Sequence, residues 1–200
     1  ARGGWIAFLD ADDLWLPHKI ETQMKLLQRR PEVDLLCSDF LIGTHQRANQ
    51  RVRAHHFTVD ANDNLEVLFT RGGPILMSTV LLRKAVFNEV GGFDPSMHCG
   101  EDADLWLRIA GLADIHHQCE VLVRKRQREG SVGSDVAQVA ETAQLVTKKI
   151  ASMYPRLQSL VNERRAMLQR WVAQYHLKTG NRAEARKHAF ISFKYFPKNW

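Results

Sequence analysis

The chain has 200 residues, 44% of them apolar and 25% charged, with 12 Gly and 6 Pro. This is an ordinary globular composition, which excludes collagen-like, low-complexity and wholly disordered chains. No apolar run is long enough to span a bilayer as a helix, and the opening residues do not read as a signal peptide. The net charge of +6 is unevenly spread: residues 121–200 carry 16 Lys/Arg against 5 Asp/Glu, so an acidic front of −5 is joined to a basic back of +11.

Trp5–Leu9 is a continuous apolar run ending in Asp10, the pattern of a buried parallel strand. It begins so close to Ala1 that a preceding segment is expected. Pro17 suits a helix first turn, and Ile20, Met24 and Leu27 recur at helical spacing up to Arg30-Pro31. Val33–Ile42 reads as a second strand with Asp39 inside it. Polar residues 43–63, with His45, His55 and His56, read as a long loop or lid. A short helix is expected at Leu65–Phe69, ended by Gly72-Gly73-Pro74. A strand is expected at Thr79–Leu82, then a helix at Lys84–Val90 stopped by Gly91-Gly92. Asp102–Ala110 reads as a helix with Leu105, Ile109 and Leu112 on one side, and Val121–Val123 as a strand.

From Val136 the pattern is helical only. Val136, Val139, Ala143 and Val146 share a face, Pro155 separates a second helix reaching Lys178, and Gly180-Asn181 turns into a third over 182–196, which Pro197 ends. Tyr175, Gly180-Asn181, Ala185, Ala189 and Pro197 have the spacing of the second half of a tetratricopeptide-like unit, but such arrays need about three units, so a simple helical hairpin is the better reading. The expected architecture is an α/β unit over 1–133 followed by a helical extension over 134–200, with the boundary near Gly130–Asp135.

Cys37, Cys99 and Cys119 form no CxxC pair, so neither a disulfide framework nor a cysteine-based zinc site is expected, and a reducing, cytoplasmic compartment fits. His55-His56 and His116-His117 are adjacent pairs rather than spaced ligands, and read as solvated or core imidazoles. The basic back forms either solvated helix faces or a surface for a phosphate ligand, a membrane or an acidic protein. Its aromatics do not alternate as a base-stacking platform would, so no nucleic-acid partner is expected.

Asp10, Asp12 and Asp13 lie within four residues, directly after an apolar strand. In open α/β sheets ligands bind beyond the carboxyl ends of strands. Crowded carboxylates there repel and are costly to desolvate unless a hard divalent cation shares the site with phosphate oxygens. The turn therefore reads as a metal–diphosphate site, or else as an Asp-rich helix cap. A second acidic block, Gly91-Gly-Phe-Asp94-Pro followed by Gly100-Glu101-Asp102-Ala103-Asp104-Leu105-Trp106-Leu107-Arg108, opens a helix. The macrodipole favours negative charge in that first turn.

The run Trp5-Ile-Ala-Phe-Leu-Asp-Ala-Asp-Asp-Leu-Trp-Leu-Pro17 resembles the Asp-x-Asp region of family 2 glycosyltransferases with the GT-A fold, and the second block resembles that family's Gly-Glu-Asp helix start. The resemblance covers residues 3–133. It implies a partial GT-A, Rossmann-like mixed sheet with flanking helices, and an inverting transfer of sugar from a nucleotide-diphosphate sugar to an acceptor hydroxyl. It implies Asp12 and Asp10 as ligands for Mn²⁺ or Mg²⁺, with Asp13 assisting at the donor. Asp102 is implied as general base, with Glu101 placing the base or the acceptor. Arg124-Lys-Arg126, before Gly130-Ser131, resembles the family's strand ending in Arg and makes Arg126 a diphosphate contact. Ser78, Thr79, Asp104 and Trp106 are acceptor-side candidates, although Trp106 also reads as core. The implied donor is a UDP-sugar, the acceptor a glycan, lipid or small molecule, with cell-wall or polysaccharide synthesis as the setting. The basic helices could touch a membrane or protein. The family's upstream base- and ribose-binding portion is not in this sequence, so weak or no activity is expected of these residues alone.

Two other classes share some features. A haloacid-dehalogenase phosphatase also ends a strand in Asp-x-Asp, but wants a Gly-Thr turn where Asp13-Leu14-Trp15 stands. A non-catalytic binding module acting through the helical tail would explain the missing front portion.

Overall fold

Six strands form one mixed sheet, in the order β1-β5-β3-β6-β2 with β4 paired to β3. They are β1 (Trp5–Ala7), β2 (Leu14–Trp15), β3 (Leu35–Thr44), β4 (Arg47–Val52), β5 (Leu81–Arg83) and β6 (Ile115–Arg126). The helices are α1 (Lys19–Arg29), α2 (Ala61–Arg71), α3 (Lys84–Glu89), α4 (Glu101–Ala110), α5 (Val136–Met153), α6 (Val161–Lys178) and α7 (Arg182–Tyr195). The computed structural model describes residues 2–44, 47–52, 61–72, 75–126 and 136–197. His45, His55, His56, Gly73, Pro74 and the expected boundary at Gly130–Asp135 lie outside them.

Alternation along β3 divides its side chains between two layers. Leu35 and Cys37 enter the main core with Leu65, Phe69, Leu82, Leu105, Ile109 and Ile115. Leu36 points the other way and joins Leu27, Val33 and Leu81 beneath α1. Helices therefore cover both faces, which is why strands such as Leu35–Phe40 show unbroken burial rather than alternation.

Several expectations change. β1 is half-buried and antiparallel to β5, with Trp5 opposite Arg83 and Ala7 opposite Leu81. Its apolar run reflects cover on both sides: Trp5 and Ala7 pack with the α1 layer and Phe8 with the main core. That pattern carries no information about a neighbour's direction. The parallel pair among the described strands is β3 with β6. The expected loop at 43–63 contains β4, paired antiparallel to β3. Thr79 ends a short 3-10 turn, Met77–Thr79, and the strand begins at Leu81. The strand expected at Val121–Val123 is a twelve-residue one. Leu112 is 57% exposed because α4 has ended at Ala110.

The main core does not stop at the expected boundary. Val146, Ile150 and Ala151 of α5, and Leu157 in the 3-10 turn Pro155–Leu160, pack with Leu105, Leu107 and Ile109 of α4. Arg164 of α6 is buried, donates to the carbonyls of Phe69 (2.7 Å) and Leu68 (3.4 Å), and sits over the Phe69 ring. α5 and α6 thus complete the front half. α6 and α7 form a helical hairpin around Ala166, Val172, Ala173, Ala185 and Ser192. Among the described residues no helix is long and apolar enough to cross a membrane.

Candidate active site

The acidic turn is held by groups distant in sequence. Asp13 N–H donates to the Asp10 carbonyl (3.0 Å), closing the turn. The Ser78 hydroxyl accepts from Asp10 N–H (3.0 Å) and donates to Asp13 Oδ2 (2.7 Å), while Asp13 Oδ1 accepts from Arg126 N–H (3.3 Å). The Trp15 indole N–H donates to the Ser78 carbonyl at 2.9 Å. Below the turn, Lys19 Nζ lies 4.7 Å from the Trp15 ring centre and donates to Gln23, whose amide donates to the Thr79 carbonyl. Burial pushes the Lys19 ammonium down to about 8.

The second block opens α4. Gly100 caps it at φ +69°, a left-handed conformation that favours glycine, and a Cβ there would meet Thr142 Cγ2 at 2.9 Å. Asp102 is half-buried in the first turn and accepts from Ala103 N–H at 2.7 Å. Asp104 is fully buried and turned the other way, ion-paired to Arg108 (2.8 Å) and to Lys149 of α5 (2.7 Å).

The two blocks converge. Burial raises the Asp10 carboxyl above its ordinary range, with Asp13, Asp12 and Glu101 adding repulsion and Lys125 opposing it. Burial raises Asp102 too, reinforced by Glu101 and again opposed by Lys125. Groups from both acidic blocks therefore share the fields of one anion and one cation. Beside them is a cavity of about 230 Å³ whose lining includes Asp102, Trp106, Lys125, Phe40, Ile75 and Arg164. A second, of about 440 Å³, shares Asp102, Ala103 and Arg164 and extends past Glu101 to Thr142 of α5. The start of α4 lines both.

Lys125 is the residue that sequence reasoning missed. Neighbouring residues of a strand point to opposite faces, so Lys125 and Arg126 cannot both face the cavity. Lys125 pairs with Ile42 in the register that sets Val123 opposite the cavity-lining Phe40. Arg126 offers the acidic turn its backbone N–H. The signal was the period of two across Arg124-Lys125-Arg126, which a long strand would have made readable. Ser78 and Thr79 are fully buried rather than lining; Ser78 buttresses the acidic turn and the Thr79 hydroxyl donates to the Leu76 carbonyl. Asp104 belongs to a buried ion-pair network. Of the four acceptor-side candidates only Trp106 reaches the cavity, and it is also core, with its indole N–H donating to the Ile75 carbonyl at 3.1 Å. His117 is a buried partner of Asp39 at 2.7 Å and His116 contacts Arg30 at 3.2 Å, so this pair is structural.

The donor chemistry at the turn suits a hard cation. Asp13 is held by Ser78 and Arg126, while the Asp10 carboxyl is raised by burial and by the neighbouring Asp13, and the carboxylates of the turn offer oxygen ligands.

The mixed sheet covered on both faces by helices, continued by a helical region, is a partial GT-A-type fold. Residues 5–115 match the model of glycosyl transferase family group 2, and the chain belongs to that family. It is 29% identical over 132 residues to an uncharacterized glycosyltransferase of Rickettsia typhi, covering 62% of this chain and 40% of the relative. It is 26% identical over 132 residues to the amylovoran biosynthesis glycosyltransferase AmsE of Erwinia amylovora, covering 66% of this chain and 46% of that one. The chain thus spans under half the length of these relatives. The structure of Staphylococcus aureus TarS 1–349 in complex with UDP-GlcNAc superimposes with a TM-score of 0.53 at 11% identity, over 94% of this chain and 67% of that one, a likeness of fold.

Proposed function

We propose that this chain carries the acceptor-side and metal-side residues of an inverting glycosyltransferase using a nucleotide-diphosphate sugar. The observation that carries the reading is that Asp102 and Lys125 line one cavity, while Glu101 and Lys125 act on both Asp102 and Asp10 of the other acidic block. Asp102 accepts the proton of the acceptor hydroxyl as that oxygen bonds to the anomeric carbon and the bond to the diphosphate breaks. Its raised basicity suits general-base work, typically about 10²–10⁴-fold in rate. Burial holds that basicity up, and Glu101 adds to it. Lys125 meets the negative charge gathering on the departing diphosphate. Asp12 and Asp10 would hold Mn²⁺ or Mg²⁺, which supplies further charge neutralisation at the diphosphate. A UDP-sugar donor is supported by the UDP-GlcNAc complex of the TarS neighbour, and a glycan acceptor by the likeness to an amylovoran biosynthesis enzyme.

The test is thermal stabilisation by UDP-GlcNAc with and without Mn²⁺. Binding to the native state raises the melting temperature according to RT ln(1 + [L]/Kd). Asp12→Ala is expected to abolish the Mn²⁺-dependent part, and Lys125→Met to weaken the nucleotide-sugar shift. An identical Mn²⁺-dependent shift in Asp12→Ala removes the acidic turn from the site. Asp102→Asn should keep the shift and lose transfer; transfer at the wild-type rate would exclude Asp102 as base.

A further inference from the structure

The strongest unassigned cluster lies at the far end of the helical tail. Two imidazoles and a carboxylate, His176, Glu184 and His188, bring one ligand atom each to within 4.8 Å of one another. Glu184 and His188 are four residues apart on α7, hence on one face of the helix. His176 reaches them from the last turn of α6, across the tight turn at Gly180. That turn is set by Gly180 at φ +81° and by the Asn181 side chain, which accepts from Glu184 N–H at 3.2 Å. The His176 and His188 rings are stacked, 5.6 Å apart and 15° from parallel. His188 Nδ1 lies 2.6 Å from Gln169 Oε1, and His188 Nε2 faces Glu184 Oε2 at 3.5 Å.

We propose that His176, Glu184 and His188 form a three-ligand site for a divalent transition ion such as Zn²⁺, which clasps α7 to α6. Two imidazoles and a carboxylate are a donor set zinc accepts, leaving one position for water. Around zinc, with bonds of about 2.0–2.1 Å, neighbouring ligand atoms sit about 3.3 Å apart, and an imidazole binds in its ring plane, so binding turns one of the two near-parallel rings out of the stack to meet the ion. Gln169 supplies the outer contact that ligating histidines ordinarily have: Nδ1 donates to the amide oxygen and Nε2 is left for the ion. Lys187 contacts both Glu184 oxygens, at 3.1 and 3.4 Å, and must yield one of them. The place suits a clasp, because the α6–α7 interface is built on small residues, with Ser192 Oγ donating to the Ala166 carbonyl as its buried polar link. An ion held by both helices would add its binding free energy to that of the hairpin.

The test is titration of the whole chain with Zn²⁺ by calorimetry and with Co²⁺ by visible absorption. One equivalent is expected, with the intense Co²⁺ bands of a four-coordinate site. Far-UV circular dichroism would confirm that each variant is folded. His176→Ala and His188→Ala should each abolish that equivalent, and Glu184→Gln should weaken it. Gln169→Ala, acting through His188, should cost about 10–100-fold in affinity. Asp12→Asn and His116→Ala should leave it intact. Zinc binding at unchanged affinity in a folded His176→Ala/His188→Ala double variant would overturn the proposal. Loss of the equivalent in Asp12→Asn, with retention in the double variant, would assign the metal to the acidic turn instead.

Discussion

Asp102 and Asp104 stand two residues apart on α4 and have opposite fates. Asp102 faces the cavity, where burial and Glu101 crowd it and Lys125 only partly compensates, so its carboxyl is raised. Asp104 is buried deeper, yet Arg108 and Lys149 both hold it, and Arg108 is anchored in turn on the carbonyls of Val90 (2.7 Å) and Gly92 (2.8 Å). Lys149 also binds Asp94, whose carboxyl is held well below the usual range by that ammonium and by Ser96. One cluster is electrostatically closed and joins α5 to the front half. The other is left unbalanced beside open space. The two carboxylates differ in their partners: Asp104 is tied to two cations, whereas at Asp102 burial goes largely uncompensated and raises the carboxyl.

That contrast can be broken from the closed side first. Asp104→Ala leaves the buried Arg108 without its carboxylate and is expected to cost about 3–5 kcal/mol in urea unfolding. A cost under about 1 kcal/mol would mean that the joint is not closed by this pair. Ile150→Ala, also at the joint, should cost about 2–5 kcal/mol, and because one core spans both halves the sheet and the tail should melt in a single transition. Separate transitions would restore a boundary near residue 133. Lys149→Met removes one of two cations from Asp104 and should cost about 1.5–3 kcal/mol.

Asp102→Asn sharpens the other side and has the smallest effect on stability, with the opposite sign. A carboxyl raised in the folded state binds more protons than in the unfolded chain between its ordinary value of 3.8 and its raised one. Stability therefore falls as pH rises through that window, and the loss persists at neutral pH. The asparagine variant should flatten this dependence and raise the neutral-pH melting temperature, while transfer is lost. A lower melting temperature would show that the charge is stabilised in the native state. In the wild type, transfer should fade as pH falls through the raised value, because the base becomes protonated.

The residues themselves marked the two acidic blocks as candidates. Asp10, Asp12, Glu101 and Asp102 stand out by position, directly after an apolar strand and at a helix start, although each block also reads as a helix cap and it took the second block in order to single them out. Lys125 was hidden, since three consecutive basic residues look alike until the strand's length and register assign them faces. Ser78 was noticed for the wrong reason: it braces the Asp10–Asp13 turn from a segment more than sixty residues away in the chain.

Local pattern by itself determined that strands and helices alternate in front and that helices follow, because periodicity and turn chemistry are short-range properties. It also marked the two acidic blocks. Only the tertiary structure decided that β1 runs antiparallel to β5, that α5 and α6 share the core of the front half, and that Asp104 is tied to Arg108 and Lys149 while Asp102 lines a cavity. Those outcomes depend on which distant groups arrive at a given place, and strand direction, core continuity and local electric field are all set by such long-range encounters.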